Sequence, residues 1–310
     1  MLALKTINHN LTTFRREMAL MGTRFEISVV GNDPLWAEKC ISEAAIEINR
    51  VEKLISAFND DSCVTEINRN AGVKPVKANA EIFRLIERSL QISGLTDGCF
   101  DITYSANDSQ DDEPKSPNDK TSLDKTSYEN VVLDAKAQTV FLTNRFMRIG
   151  FGGNIKGYAA DRAKYILQMN GVSGGVINAG GDLIAWGLQP SGEEWTVATA
   201  DPEQENQPFA NVLISNMAFA TSVTTVKYTT AIRKDHLSAI NPKNGIKMSG
   251  IKSVSIIGAT AELADSLSAA ILSMGINAGL YLINQLNQVA CVIIDDHNRV
   301  YTSKAAVLNN

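Results

Sequence analysis

Histidine and cysteine are scarce in this 310-residue chain, with three of the first (His9, His236, His297) and four of the second (Cys40, Cys63, Cys99, Cys291). No two histidines have His-Glu-x-x-His spacing and no two cysteines lie as Cys-x-x-Cys, which argues against a multi-histidine metal centre, a hydrolase triad, a zinc ribbon or a disulfide framework. Carboxylates and backbone oxygens are left to carry any metal. No apolar run approaches the roughly 18 to 20 residues needed to cross a bilayer. After Met1-Leu-Ala-Leu-Lys-Thr-Ile-Asn-His-Asn there is no apolar h-region, so the sequence as written reads as cytoplasmic, without a signal peptide. Long basic runs are also missing: 29 Lys and Arg against 34 Asp and Glu leave a formal net charge of -5, which sets nucleic acid aside as a partner.

What is present is an ordinary globular composition, 44% hydrophobic and 20% charged, with a mean hydropathy of -0.07. At roughly 100 to 200 residues per domain this is one large domain or two packed ones. Arg24 to Val30 is β-branched and alternating, and Asn32-Asp33-Pro34 breaks it, which predicts a strand. Apolar residues recur with a helical period from Leu35 to Ile55 and again from about Ala80 to Ile92. The last third predicts helices over Ala261 to Met274 and Asn277 to Leu286. Strands are expected at Val254 to Ile257, Val289 to Ile294 and Val300 to Thr302, with Asp295-Asp296-His297-Asn298 as a hairpin turn. Helices and strands are interleaved without a repeat, so the fold class is α+β, one body or two lobes. Ser105 to Ser127 holds one large apolar residue, Leu123, and two prolines; it reads as a surface loop or linker, the alternative being a partner-docking segment.

Chemistry concentrates where glycine does, ten of the 21 glycines lying between Gly150 and Gly187. Gly150-Phe-Gly-Gly-Asn-Ile-Lys-Gly-Tyr-Ala-Ala-Asp161 runs from a loop into a helix. Its amides and the Lys156 charge suit a phosphate, although it is neither a Walker A loop nor a Gly-x-Gly-x-x-Gly turn, and a structural tight turn is the other reading. Val176-Ile-Asn-Ala-Gly-Gly-Asp-Leu-Ile-Ala-Trp-Gly187 reads as an apolar strand with a bulge or close approach at Gly180-Gly181. On the helix from Ala261, Asp265 borders an apolar stripe of Leu263, Ala264, Leu267, Ala270, Ile271 and Met274. A carboxylate so placed needs a partner, either a hard cation such as Mg²⁺ or the amides of a neighbouring loop.

Taken in order, these segments resemble the FAD:protein FMN transferase (ApbE) family over almost the whole chain. The series is Met21-Gly22-Thr23, Ser56-Ala-Phe-Asn-Asp-Asp-Ser62 with Ile67-Asn68, Gly98-Cys-Phe-Asp-Ile-Thr103, Gly152-Gly153 with Lys156-Gly-Tyr-Ala-Ala-Asp161, Asn178-Ala-Gly-Gly-Asp182, Ala220-Thr-Ser222, Asn241-Pro-Lys-Asn-Gly245, and Ala264-Asp265 with Met274-Gly275. The resemblance implies an α+β body of the thiamine-biosynthesis-lipoprotein type, related to the T-fold, over residues 18–308, with 1–17 as an extension. It implies FAD in a cleft lined by Met21, Phe58, Cys99, Phe100, Asp101 and Gly150, Lys156 near the phosphates, and Mg²⁺ on the Gly153 carbonyl and the Asp265 carboxylate, with Asp265 and Lys156 as the catalytic pair. The reaction it implies moves FMN from FAD to a Ser or Thr hydroxyl of an acceptor protein and releases AMP. Relatives commonly work behind a lipoprotein leader, which would make a trimmed form periplasmic.

The chain departs from the family pattern near the expected chemistry. Ala269 stands where a hydroxyl four residues after the metal-binding Asp is usual, leaving Ser268 or water to substitute. Val223 interrupts the Thr-Ser-Gly pattern, Ser238 replaces a histidine that lies displaced at His236, Gly150 replaces an Asp, and the polar 105–127 segment replaces an apolar one. These departures keep FAD hydrolysis to FMN and AMP, and non-catalytic flavin binding or protein interaction, beside transfer as expected outcomes.

Overall fold

The computed structural model of the chain describes residues 11–55, 62–105, 126–201, 204–224 and 250–305. A hairpin of β1 (Thr12–Leu20) and β2 (Thr23–Gly31) opens it, closed by Met21-Gly22 with φ of 51° and 68°, the paired left-handed residues of a tight two-residue turn. Then come α1 (Pro34–Ile55), α2 (Cys63–Arg69), β3 (Val76–Lys77), α3 (Ala80–Leu95), β4 (Thr103–Ser105), β5 (Val131–Asp134), β6 (Thr139–Leu142) and β7 (Met147–Ile149). The second half holds α4 (Ile155–Met169), β8 (Gly175–Ala179), β9 (Asp182–Trp186), β10 (Thr196–Asp201), β11 (Gln204–Leu213), β12 (Ala218–Val223), β13 (Ile251–Gly258), α5 (Ala261–Met274), α6 (Ile276–Ile283), β14 (Ala290–Asp295) and β15 (Val300–Thr302).

Eight strands form one sheet in the order β1-β2-β8-β9-β12-β13-β14-β15, every neighbouring pair antiparallel. Strand periodicity sorts its two faces. Ile184 and Trp186 of β9, Ala218 and Ala220 of β12, and Val254 and Ile256 of β13 face the large core under α1, α4 and α5. Ala185, Phe219 and Ile257, one residue out of phase, face a smaller core with Ile214 and Trp195. Both faces of the central strands are therefore apolar, which is why they read as continuous hydrophobic runs. Beside this sheet stand α2, α3, the three-stranded β3-β6-β5 sheet and the β4-β7 pair.

Two sequence expectations change here. Val176 to Gly187 is not one bulged strand: Gly180 and Gly181, at φ of 71° and 110°, are the turn of the β8-β9 hairpin, with Ala179 opposite Asp182. A Cβ on Gly180 would lie 2.6 Å from Thr23 Oγ1, so this turn packs against the start of β2. Residues 12–17, set ahead of the domain in the sequence reading, form most of β1, an edge strand whose side chains are mainly exposed or half-buried. Of the polar segment, residues 106–125 lie outside the described residues. No described helix is long and apolar enough to cross a membrane.

Candidate functional site

Each residue of Lys156-Gly-Tyr-Ala-Ala-Asp161, the first turns of α4, has a task that follows from where the helix lies. Ala159 and Ala160 are buried, small enough to let α4 settle into the core. The Tyr158 hydroxyl donates to Glu81 Oε1 at 2.7 Å, and Glu81 also pairs with Arg50, so α1, α3 and α4 are tied by one charged network that includes Glu47 and Arg162. Gly157 faces α5 with no side chain; a Cβ there would sit 2.3 Å from the Ala261 carbonyl oxygen. Asp161, one turn on, accepts the Ala261 amide at 3.0 Å and the Glu262 amide at 2.9 Å, capping α5. Burial pushes the Asp161 carboxyl up to about 6 in spite of these amides.

α5 returns the contact. Asp265, only 8% exposed, faces the Gly157 amide, which favours its ionised form, while its Oδ2 is buried without a hydrogen-bond partner. Burial, and after it the nearby Asp182 carboxylate, push the Asp265 carboxyl up to about 7. Asp182, 5% exposed at the first position of β9, accepts from Lys156 Nζ at 3.2 Å. Burial works against the Lys156 ammonium, but Asp182 and Asp265 outweigh it and hold its pKa above the usual lysine value. Lys156 pairs with Asp182 and also feels the Asp265 charge; with both carboxylates ionised the cluster carries a net charge of minus one and an unpartnered oxygen. That is an environment suited to a hard divalent cation, which binds oxygen ligands and offsets the surplus charge.

Next to this cluster lies a cleft of about 410 Å³. One wall is the Cys99 to Tyr104 segment after α3; the other is Gly150, Gly152 and Gly153; Ala269 and Ser273 of α5 form the floor, one and two turns beyond Asp265. Left-handed Asp97 and Gly98, at φ of 52° and 71°, turn the chain out of α3 so that Cys99 and Phe100 reach it. The Phe100 ring lies 3.5 Å from where a Gly153 Cβ would be, an ordinary contact distance that places the ring directly against this glycine. Asn68 secures the approach: its side chain both donates to the Ile149 carbonyl, at 3.0 Å, and accepts the Ile149 amide, at 2.8 Å, clamping β7 just before the glycine loop.

The structure therefore brings Cys99, Phe100, Asp101, Gly150 and Gly153 to one cleft and places Asp265 and Lys156 beside it. The Asp101 carboxylate already accepts the amides of Thr103 (2.8 Å) and Tyr128 (2.9 Å), so it shapes the wall through those bonds. Met21 does not line the cleft; it sits half-buried at the β1-β2 turn, at the same sheet end as the Gly180-Gly181 turn. Phe58, His236, Ser238 and Asn241 to Gly245 lie outside the described residues. At position 269 the cleft meets a methyl group. Ser268 does not substitute from the next position: its hydroxyl is bonded to Ser222 Oγ at 2.8 Å and to the Asp265 carbonyl at 3.0 Å. Val223 is exposed at the end of β12. Sequence reasoning gave no role to Asp161 and Asp182; the only available signal was that each ends a glycine-containing segment, Lys156 to Asp161 and Asn178 to Asp182.

Known proteins share this arrangement of chain. The FAD:protein FMN transferase of Klebsiella pneumoniae is 25% identical over 270 residues, covering 82% of this chain and 77% of its own length. That of Treponema pallidum is 24% identical over 319 residues, covering 95% and 88%. Among solved structures, the ApbE protein of Thermotoga maritima superposes with a TM-score of 0.81 at 23% identity over 94% of this chain and 97% of that one. The flavin transferase ApbE of Vibrio cholerae does so with a TM-score of 0.77 at 20% identity over 95% and 98%. The mixed fold of helices and antiparallel sheets is thus the fold of those structures. The ApbE family model matches residues 21–293, and the chain belongs to the ApbE family.

Proposed function

We propose that the protein transfers FMN from FAD to a Ser or Thr hydroxyl of an acceptor protein, releasing AMP, in a reaction that requires Mg²⁺. The relatives named FAD:protein FMN transferase support this class of reaction. The observation that carries the reading in this chain is the buried, unpartnered Asp265 Oδ2 beside Lys156 and Asp182, at the edge of the cleft walled by Cys99 to Tyr104 and the glycine loop.

In this reading the flavin lies against Phe100 and the backbone of Gly150, Gly152 and Gly153, which carry no side chains to block it; the Phe151 side chain is buried. Lys156 faces the pyrophosphate as a fixed positive charge, oriented by Asp182. The acceptor oxygen bonds to the FMN phosphorus as the bond from that phosphorus to the AMP phosphate oxygen breaks; AMP leaves and the hydroxyl proton is released. Mg²⁺, held by the Asp265 carboxylate and the Gly153 carbonyl, would supply charge stabilisation for the pyrophosphate as it is cleaved. Catalysis of this kind is positioning plus electrostatics.

One feature favours a second reading. With Ala269 in the cleft and Ser268 bonded to Ser222, no hydroxyl of residues 268 or 269 is free to join Asp265, which points to retained flavin binding with reduced or hydrolytic turnover. Chromatography of protein, FAD and a Ser/Thr-containing acceptor, with and without Mg²⁺, separates these. Transfer is expected to give AMP and acceptor-bound flavin in equal amounts, only with Mg²⁺. AMP with free FMN alone would indicate hydrolysis, and intact FAD throughout would overturn both reactions and leave binding.

A further inference from the structure

We propose that Asp161 is a positioning residue of the Asp265 site, acting through α5; this rests on Asp265 being the metal carboxylate. The first three amides of α5 are all satisfied from outside the helix backbone. Asp161 takes Ala261 and Glu262, and the Thr260 hydroxyl takes Leu263 at 3.3 Å. The Thr260 bond is local and caps α5 wherever the helix sits. The Asp161 bonds come from another helix, so they fix where α5 sits relative to α4.

Gly157 and Ala261 touch through backbone, leaving no side chain between them to hold a register. What ties the two helices across this crossing by hydrogen bonds is Asp161 on the α5 amides, with the Asp265 carboxylate facing the Gly157 amide beside it. Removing the Asp161 acceptor leaves the α5 cap at Thr260 and the Arg88–Glu262 ion pair in place, so the helix persists. It frees the turn that carries Asp265 to shift against Lys156 and Asp182. Groups that orient a metal ligand without touching the metal change affinity by roughly 10- to 100-fold.

The test is Mn²⁺ binding to the full-length protein, followed by electron paramagnetic resonance, in the parent and in Asp161→Asn, which presents an NH₂ group to one of the two amides. The expected result is a folded variant by circular dichroism, an Mn²⁺ Kd raised on the order of tenfold, and kcat for FAD lowered with KM within about twofold. A role in stability alone would lower the melting temperature and leave Mn²⁺ affinity of the folded protein unchanged, and that outcome overturns the proposal. Should Asp161→Asn not fold, Asp161→Glu, which keeps the charge and both acceptors with one more methylene, is read in the same way; failure of both to fold also overturns it, because the residue is then structural. Absence of Mn²⁺ binding in the parent removes the metal reading of Asp265 itself, a result distinct from parent and variant binding equally.

Discussion

Asp161 of α4 caps α5, and Asp265 of α5 faces the Gly157 amide of α4, where the two helices cross at Gly157 and Ala261. The two carboxylates are unequal. Asp161 has both oxygens on amides, whereas Asp265 Oδ2 is buried without a hydrogen-bond partner. A fold built for stability alone would not bury a second carboxylate at Asp182 beside it. The cost sits at the site to which the proposed function assigns the chemistry, the usual location of such costs.

Replacing Asp265 with Asn should therefore separate stability from function. The amide keeps an acceptor for Gly157 and removes a buried charge that faces Asp182. The metal-free protein is expected to melt a few degrees higher at pH 7.5, consistent with about 1 kcal/mol in a chain of this size. FAD turnover should fall by at least 100-fold. A variant that melts lower than the parent while keeping its turnover would contradict both halves of the argument.

Gly157→Ala tests the crossing itself. The added methyl would lie 2.3 Å from the Ala261 oxygen and 2.7 Å from the Glu262 nitrogen, both backbone atoms that cannot rotate away. Separating the helices should cost about 1 to 3 kcal/mol, the usual range for overpacking, and move Asp265 relative to α4. Urea unfolding at neutral pH measures the first, and Mn²⁺ affinity the second. A stability within error of the parent would mean that the two helices do not meet as closely as described.

Much of this frame is legible in the sequence, and the reasons for the exceptions are physical. The stripe of Leu263, Ala264, Leu267, Ala270, Ile271 and Met274 predicts α5 with the bounds observed, because Ala264, Leu267, Ala270 and Ile271 meet the large core at helical spacing. The same logic fails for β8 and β9: both faces are covered, alternation disappears, and Gly180-Gly181 reads as a bulge when it is a turn requiring two left-handed residues. β1 escapes notice because an edge strand keeps polar side chains such as Arg15, Arg16 and Glu17. In the site, glycine and aromatic positions of the cleft were readable from the motif series. The partners of Asp161, Asp182 and Lys156 were not, since Asp161 meets amides 100 residues away at a helix crossing and Lys156 of α4 meets Asp182 of β9 across 26 residues of chain.

The hairpin turn between β14 and β15 gives a clear dependence on acidity. Asp295 Oδ1 accepts the amides of His297 (2.9 Å) and Arg299 (2.8 Å), and Oδ2 accepts Arg299 Nε (2.7 Å) and the Tyr301 hydroxyl (3.1 Å). Burial by itself would raise its pKa, but the Arg299 amide and guanidinium outweigh it and bring the carboxyl down to about 2, from 3.8. The folded state thus binds its proton less readily than the unfolded chain. Its contribution to stability is complete above the unfolded value and disappears as pH falls through about 2. Urea unfolding of the parent and Asp295→Asn should show a gap at pH 4.5 that narrows at pH 2.5, and an unchanged gap would rule this account out.

Position 269 is where the chain can be given the hydroxyl that its family resemblance implies. Ala269 lies one turn after Asp265 on the cleft floor, next to Ser273, and its neighbour Ser268 is bonded to Ser222. Ala269→Thr would put a hydroxyl on the cleft side of α5, one turn from the unpartnered Asp265 oxygen, at little cost in packing because the residue is only half-buried. The β-branched side chain costs only a few tenths of a kcal/mol in helix propensity. An added oxygen ligand or hydrogen bond to a bound cation is expected to lower the Mn²⁺ Kd on the order of tenfold and to raise FAD turnover in parallel. If affinity rises and turnover does not, the lost hydroxyl was a metal ligand but the limiting defect lies elsewhere in the acceptor-side wall, at Val223 or beyond. If neither changes, Asp265 Oδ2 does not face the cleft cation, and the metal reading of this helix falls with it.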